Sequence, residues 1–537
     1  MFINHYLLSL LIWVPIIGGF IVLAAKSADG KKETARWTAL AISVLTLLLC
    51  IPLYLDFDPT SSSMQFVERI RWFSLFNNND AVYYYLGVDG FSLLFIVLTS
   101  FTNVVIILAT WRNIQVFLRQ YMAIFLIMTG LTNAIFMAQD TMLFYVFWEG
   151  LLIPTTLGIG VWGGKKRAYA AVKYFLYTFA GSICLLVAFL YIQQQVASLP
   201  SASLFDSGTF SIQNFIFWVT QVNNMGQLVN VTLTVQELLF GLFFLAFAVK
   251  IPMWPLHSWL PDAHSEAPTG GSVVLAALML KLGAYGFLRF LLPLVPSITA
   301  ALDWLLIAIS LVSIVYVGLV AIAQTEFKRL IAYSSISHMG LVTLAMFSIF
   351  FLVKNNPDQV LGMADGQLAI QGAVFQMIAH AFSSGGMFIG CGYLHLRMQS
   401  QNIADFQGVA RSMPIFSTFF MLFCLANVGL PGTSGFVGEF LIIIAVFKYS
   451  PWVALLAGLT LVIAPAYTLW MYKRVFFGKV VTTQVANLKD ITGLEIFVLV
   501  LLAIPTIWFG LYPEAILQLS SAASTHIIQV THSVTIG

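Results

Sequence analysis

Apolar residues run along this chain in blocks of about twenty, the length of helix that crosses a bilayer core. Fourteen blocks qualify, near residues 6–25, 37–54, 86–110, 119–138, 140–162, 168–194, 235–260, 271–292, 301–323, 330–353, 368–395, 414–447, 452–477 and 492–511. The pattern predicts an all-α polytopic membrane protein. The first block, Tyr6–Ala25, lacks a charged start followed by a small-residue cleavage site, so it reads as a retained span. Longer polar stretches at 55–85 and 195–234 interrupt the series, and the tail after Pro513 reads as amphipathic or loosely ordered.

Two blocks are broken. The seventh runs from Glu237 to Val249 and meets Lys250, Pro252 and Pro255. The twelfth runs from Ile415 to Val428, meets Gly429, Pro431, Gly432 and Gly435, and resumes to Phe447. Proline lacks an N–H and clashes one turn back, and glycine loosens a helix. Broken backbone at membrane depth survives only inside protein or beside a water-filled cavity. The breaks fall five blocks apart, which predicts two five-helix repeats, helices 4–8 and helices 9–13. Five is odd, so the second repeat is inverted relative to the first, an arrangement that marks ion pathways. The expected division is 1–118 for helices 1–3, 119–292 and 301–477 for the two repeats, and 478–537 for the last helix and tail.

Charge supports the span count. Cytoplasmic loops carry the excess of Lys and Arg. With the N-terminus outside, the inside loops hold Lys26, Lys31, Lys32, Arg36, Arg112, Arg119, Lys165, Lys166, Arg167, Lys173, Lys328, Arg329, Arg397, Arg411, Lys473, Arg474, Lys479 and Lys489; the outside holds Arg69, Arg71, Arg289, Lys354 and Lys448. Eighteen against five favours both termini on the outer side. Only Lys250 and Lys281 remain unplaced. The chain is 60% hydrophobic and 9% charged, against about 25% charged in a soluble domain. Its net charge of +3 gives no reason to expect a nucleic-acid partner. The four cysteines lie in apolar runs without a C-x-x-C pair and read as small core residues rather than metal or cluster ligands.

An ionisable group at mid-membrane costs from ~2.5 to well over 10 kcal/mol. Glu149 lies mid-block, on one helical face with Thr141, Tyr145 and Thr156, and Pro154 frees the carbonyl of Gly150 beside it. Lys250 sits at the first break. Lys281 has apolar or small residues on both sides. His338 follows Ser334 and Ser335 by about one turn. His380 shares a polar face with Gln376, Ser383 and Ser384. Glu439 begins the second half of the twelfth block, where a helix N-terminus favours an anion. Structural pairing, snorkelling or a satisfied core histidine is the alternative for each. Asp89, Asp262, His264 and Glu266 are explained equally well by capping or solvation, and His257 belongs either to the break or to the inner surface. The order acid, base, base, imidazoles, acid supplies a proton wire. No phosphate loop, metal cluster or activated nucleophile is apparent.

The segments Phe147–Glu149, Lys250–His264, Ala267–Val273, Lys328–Gly340, Gly429–Gly432 and Gly438–Phe440 resemble the antiporter-like subunits of respiratory complex I, the proton-translocating NADH:quinone oxidoreductase. The resemblance covers about residues 86–478. That family contains three paralogues similar to cation/proton antiporters, and two carry lysine where this chain has Glu439. The chain is therefore similar to the M-type member, counterpart of mitochondrial subunit four, and the lack of a long lateral helix after the last span agrees. By resemblance, Glu149, Lys250, Lys281 and Glu439 match central proton-pathway residues, and His338 and His380 match the connecting axis. The resemblance implies a translocase subunit in a bacterial inner membrane, with no redox cofactor in this chain, two flanking paralogues among its membrane-arm neighbours, and energy from quinone reduction elsewhere. Related expectations are an Mrp-type sodium/proton antiporter subunit and a ferredoxin- or plastoquinone-linked counterpart. Gly150 departs from the bulkier residue often found in the family.

Overall fold

A computed structural model describes residues 6–24, 32–74, 81–198, 208–225, 233–354, 358–480 and 482–535. Lys26 and Lys31 of the charge count, and parts of the 195–234 stretch, lie outside the described residues. Twelve described helices are long and apolar enough to cross a membrane. They are α1 (Leu7–Ala24), α2 (Lys32–Leu55), α3 (Gly90–Ala109), α4 (Leu118–Met137), α5 (Thr141–Trp162), α6 (Arg167–Ala197), α10 (Thr269–Leu294), α11 (Asp303–Ile322), α12 (Phe327–Lys354), α13 (Gln359–Met398), α16 (Pro451–Phe476) and α17 (Gly493–Leu511). The seventh and twelfth predicted spans lie outside that set, and each is split into two helices. These are α8 (Leu233–Lys250) with α9 (Trp259–Glu266), and α14 (Pro414–Asn427) with α15 (Ser434–Tyr449).

Burial sorts the helices. α13 is buried throughout its apolar stretch and packs against α10, α12, α14, α15 and α17. α2 and α17 expose most of their length, and residues such as Trp37, Leu48, Ile504 and Trp508 point outward. Isolated outward apolar side chains are ordinary, but whole exposed faces of this kind need lipid or another protein against them.

The polar stretches hold structure that periodicity did not reveal. The 55–85 stretch holds β1 (Gln65–Ser74) and the start of β2 (Ala81–Val88), paired antiparallel in a register that sets Gln65 against Val88 and Ser74 against Ala81. This is an addition to an otherwise helical bundle. Its Glu68 is buried and accepts the amides of Leu8 (2.8 Å) and Ser9 (3.2 Å) at the start of α1. Residues 195–234 contain the helix α7 (Ile212–Met225). The tail after Pro513 is not loose: it forms α18 (Glu514–Thr535), packed on α3 and α13. Gln367 and Gln371 of α13 hydrogen-bond to its Ser521 hydroxyl and Leu517 carbonyl.

Ion pairs tie the ends of the helices together. Asp262 receives Lys173 (2.7 Å) and Arg329 (3.1 Å), and Arg397 holds Glu495 (2.8 Å). Asp365 meets Lys448. Glu266 accepts the Lys166 amide at 2.8 Å. Asp262 and Glu266, expected in a loop, lie in α9 and tie neighbouring segments together instead of standing in solvent.

Candidate functional site

The first break follows Lys250. Ile251 still bonds back to Phe247 and Met253 to Ala248, but Pro252 and Pro255 donate nothing, and the chain turns before α9. Trp259 donates its indole N–H to the Val249 carbonyl (2.8 Å), satisfying an acceptor the break leaves open. α10 crosses directly onto this break. A methyl at Gly283 would stand 2.6 Å from the Ile251 nitrogen and 2.8 Å from the Phe247 oxygen.

The second break is built from glycine. Gly429 and Gly432 have φ of +77° and +91°, a region L side chains rarely adopt. The freed carbonyls of α14 are taken up by Gly429 and Leu430 amides. A methyl at Gly429 would also lie 2.5 Å from Glu439 Oε2, so the carboxylate rests against the broken backbone. Glu439 lies beyond the first turn of α15, which starts at Ser434, so its expected place at the helix N-terminus is corrected. The dipole's pull fades within that turn.

Between the breaks lies a row of buried polar groups. Lys250 is 2% exposed, and its Nζ lies over the Trp148 ring at 4.9 Å and near Tyr174 at 5.9 Å. Glu149 is half-buried on α5, and its Oε1 has no hydrogen-bond partner among the described residues. The two do not meet within ion-pair distance, although Glu149 is the acid whose field Lys250 feels. Lys281 is fully buried; its Nζ donates to the Ala276 carbonyl at 2.5 Å and meets His380 Nδ1 at 2.9 Å. Widened π-type turns at Leu275–Met279 and Phe287–Leu291 flank it, a local irregularity frequent at functional sites. The His380 and His338 rings are 5.8 Å apart, and His338 Nδ1 lies 3.2 Å from Glu439 Oε1 and 3.4 Å from Gln376 Nε2. The serines one turn before His338 bond elsewhere: Ser334 pairs with Tyr467 (2.9 Å) and Asn427 (3.0 Å), and Ser335 donates to the Ile331 carbonyl.

The family model described as NADH:quinone oxidoreductase/Mrp antiporter, TM, matches residues 138–464, which contain every group of this row. The chain belongs to that family. It is 41% identical to the NADH-quinone oxidoreductase subunit M of Rhodobacter capsulatus over 531 residues, 98% of this chain and 97% of the relative. It is 38% identical to the NADH-ubiquinone oxidoreductase chain 4 of Chondrus crispus over 517 residues, 96% of each. A chain in respiratory complex I from Thermus thermophilus with bound NADH matches with TM-score 0.79 and 28% identity, over 97% of this chain and 99% of that one. The archaeal membrane-bound sulfane sulfur reductase complex contains the same fold, with TM-score 0.75 and 22% identity, over 94% and 76%. The M-type resemblance read from the sequence is upheld.

Some groups of this family member escape sequence reading. His264 is fully buried, stacked on Phe388 at 4.5 Å, with neither ring nitrogen hydrogen-bonded to another described residue. Lys328, counted with an inside loop, is corrected: it is 4% exposed and donates to the Ala267 carbonyl at 2.6 Å. His264 stands in the electrostatic neighbourhood of Lys328, Lys281 and His380. Asn427 and Thr468 join Ser334 and Tyr467 beside the second break. Asp89 caps α3 through the Ser92 amide (2.9 Å) and also pairs with Arg289 at 2.7 Å. Arg289, counted with the outside residues, lies within α10, and its side chain is 10% exposed. Gly150 has room: a methyl there meets only Leu131, at 3.7 Å.

Proposed function

We propose that this chain is a proton-conducting subunit of the membrane arm of an NADH:quinone oxidoreductase. The observation that carries the reading is the run of contacts from Lys281 to His380 (2.9 Å), across 5.8 Å to His338, and on to Glu439 (3.2 Å), buried between two broken helices. A buried amine, two imidazoles and a carboxylate at such separations exchange protons directly or through one water.

In this reading Glu149 and Lys250 are a switchable pair. Burial disfavours a charged lysine and an approaching carboxylate favours it, so making and breaking the pair loads and unloads Lys250. Lys281, His380 and His338 pass the proton on, and Glu439 hands it outward. Fourteen spans in two inverted five-helix repeats, helices 4–8 and 9–13, would set both termini on the outer side, as the excess of inside basic residues favours. The chain would lie in a bacterial inner membrane between two paralogous antiporter-like subunits. Its driving energy would come from quinone reduction in other subunits, which also hold the redox groups.

The Mrp-type antiporter reading shares the family description. The carboxylate at Glu439, and relatives named subunit M or chain 4 over nearly their whole length, favour the first reading. Lys281→Ala is the direct test. An assembled complex that oxidises NADH yet pumps at the wild-type proton-to-electron ratio would overturn the proposal; a ratio lowered by this chain's share supports it.

A further inference from the structure

The proton row turns sideways at Lys281, although α10 continues toward the face that carries Asp89 and α18. Lys281, Tyr285 and Arg289 follow one another at four-residue spacing. Both contacts of Lys281 Nζ, to Ala276 and His380, lead away from Tyr285 along α10 or across to α13. Above it the Tyr285 hydroxyl is fully committed. It donates to the Phe136 carbonyl (2.9 Å), receives Arg289 Nε (3.1 Å) and sits 3.1 Å from Ser92 Oγ, with the Phe95 and Phe136 rings packed around it. Arg289 Nη2 then bonds Asp89 Oδ2 (2.7 Å) and Ser92 Oγ (3.3 Å), and the pair is 10% and 5% exposed. A cavity of about 420 Å³ between the 59–62 loop and α18 is lined by Thr60, Ser62, Ser521, Thr525 and His526, and His526 stands within the field of Arg289 and Asp89.

We propose that Arg289, held by Asp89, is an electrostatic stopper that closes the direct route from Lys281 to this polar cavity and so forces the proton through His380 and His338 to Glu439. This rests on the conduction reading above. A guanidinium is charged at every accessible pH and has no lone pair to accept a proton, and a fixed cation is how other pores exclude protons. One helical turn is about 5.4 Å. At that range, with an effective dielectric constant near 20, an unpaired unit charge disfavours a second positive charge on the order of a hundredfold, and the Asp89 carboxylate 2.7 Å away offsets part of that. Arg289 is a positioning residue here; it carries no proton itself.

The test uses the whole complex reconstituted in liposomes, reading passive proton conductance before NADH is added and the proton-to-electron ratio after. Arg289→Gln should raise passive conductance at least tenfold and lower the ratio while uncoupled NADH oxidation stays unchanged. Arg289→Lys should remain tight. Asp89→Asn breaks the same ion pair but leaves the cation, so its conductance should stay near wild type. Equal leaks from Asp89→Asn and Arg289→Gln would show a merely structural pair and overturn the proposal, as would an assembled Arg289→Gln complex that stays tight. If Arg289→Gln fails to assemble, Arg289→Met is read by the same criteria. Adding Lys281→Ala to the leaking variant should close it; a leak that persists would place the path elsewhere and also overturn the proposal. Failure of conduction itself would appear separately, as normal pumping by Lys281→Ala alone.

Discussion

The two cracked helices hold their charges differently. At the first, the amine of Lys250 lies over aromatic rings and its nearest acid, Glu149, stays out of contact. At the second, Glu439 touches His338 and leans on the glycine of the break itself. One site is open and the other closed within one rigid bundle. An aromatic face holds a cation by up to about 2 kcal/mol when desolvated, less than a buried ion pair can supply. Lys250 thus has a weak resting place and a stronger alternative nearby, as a switch needs, whereas Glu439 already stands at ion-pair distance from His338, with neither carboxylate oxygen hydrogen-bonded among the described residues.

The largest expected effect comes from removing the open site's amine. Lys250→Ala should slow conduction through this chain by about 10²-fold, the scale of losing a positioned proton-transfer group, and so remove this chain's share of the pumping, with the subunit still co-purifying in the complex. Proton uptake per NADH in liposomes measures it, and wild-type pumping would dissolve the contrast. The closed site is probed through its glycines. Gly429→Ala must strain the backbone by roughly 1–2 kcal/mol and push the Glu439 carboxylate away, so pumping should fall together with thermal stability. Gly432→Ala carries similar strain, but nothing lies within 4 Å of its added methyl, so it should lose stability and keep pumping. Parallel melting curves and pumping assays separate the two. Asp262→Ala removes the acid that Lys173 and Arg329 share; at these part-exposed positions the cost should be ~1 kcal/mol, read as a small drop in melting temperature. Smallest of all, Gly150→Ala adds a methyl at ordinary contact distance from Leu131 and should change stability by less than about 1 kcal/mol, leaving pumping intact.

What could be read from sequence follows one physical rule: a charge or a helix breaker inside an apolar run is conspicuous. Lys250, Lys281 and both breaks stand out in this way, and the structure places the breaks within a residue or two of the expected positions. His264 and Lys328 did not stand out because each sits near a block edge among other polar residues, where solvation is the cheaper explanation. Their burial depends on α13 and on the loop before α10 folding over them. Asn427, Tyr467 and Thr468 are uncharged, and their partnership spans three helices far apart in sequence. The β-hairpin escaped because its first strand is mostly exposed and its pairing carries two register irregularities, so neither strand shows clean alternation.

The length of α13 has a consequence for motion. Forty residues of helix extend about 60 Å, twice the thickness of a hydrocarbon core. His380 stands within two residues of the midpoint between Gln359 and Met398. A rod that rocks swings its tips and leaves its centre nearly still, so forces arriving at either surface would displace the ends of α13 while the imidazole at the fulcrum keeps its place.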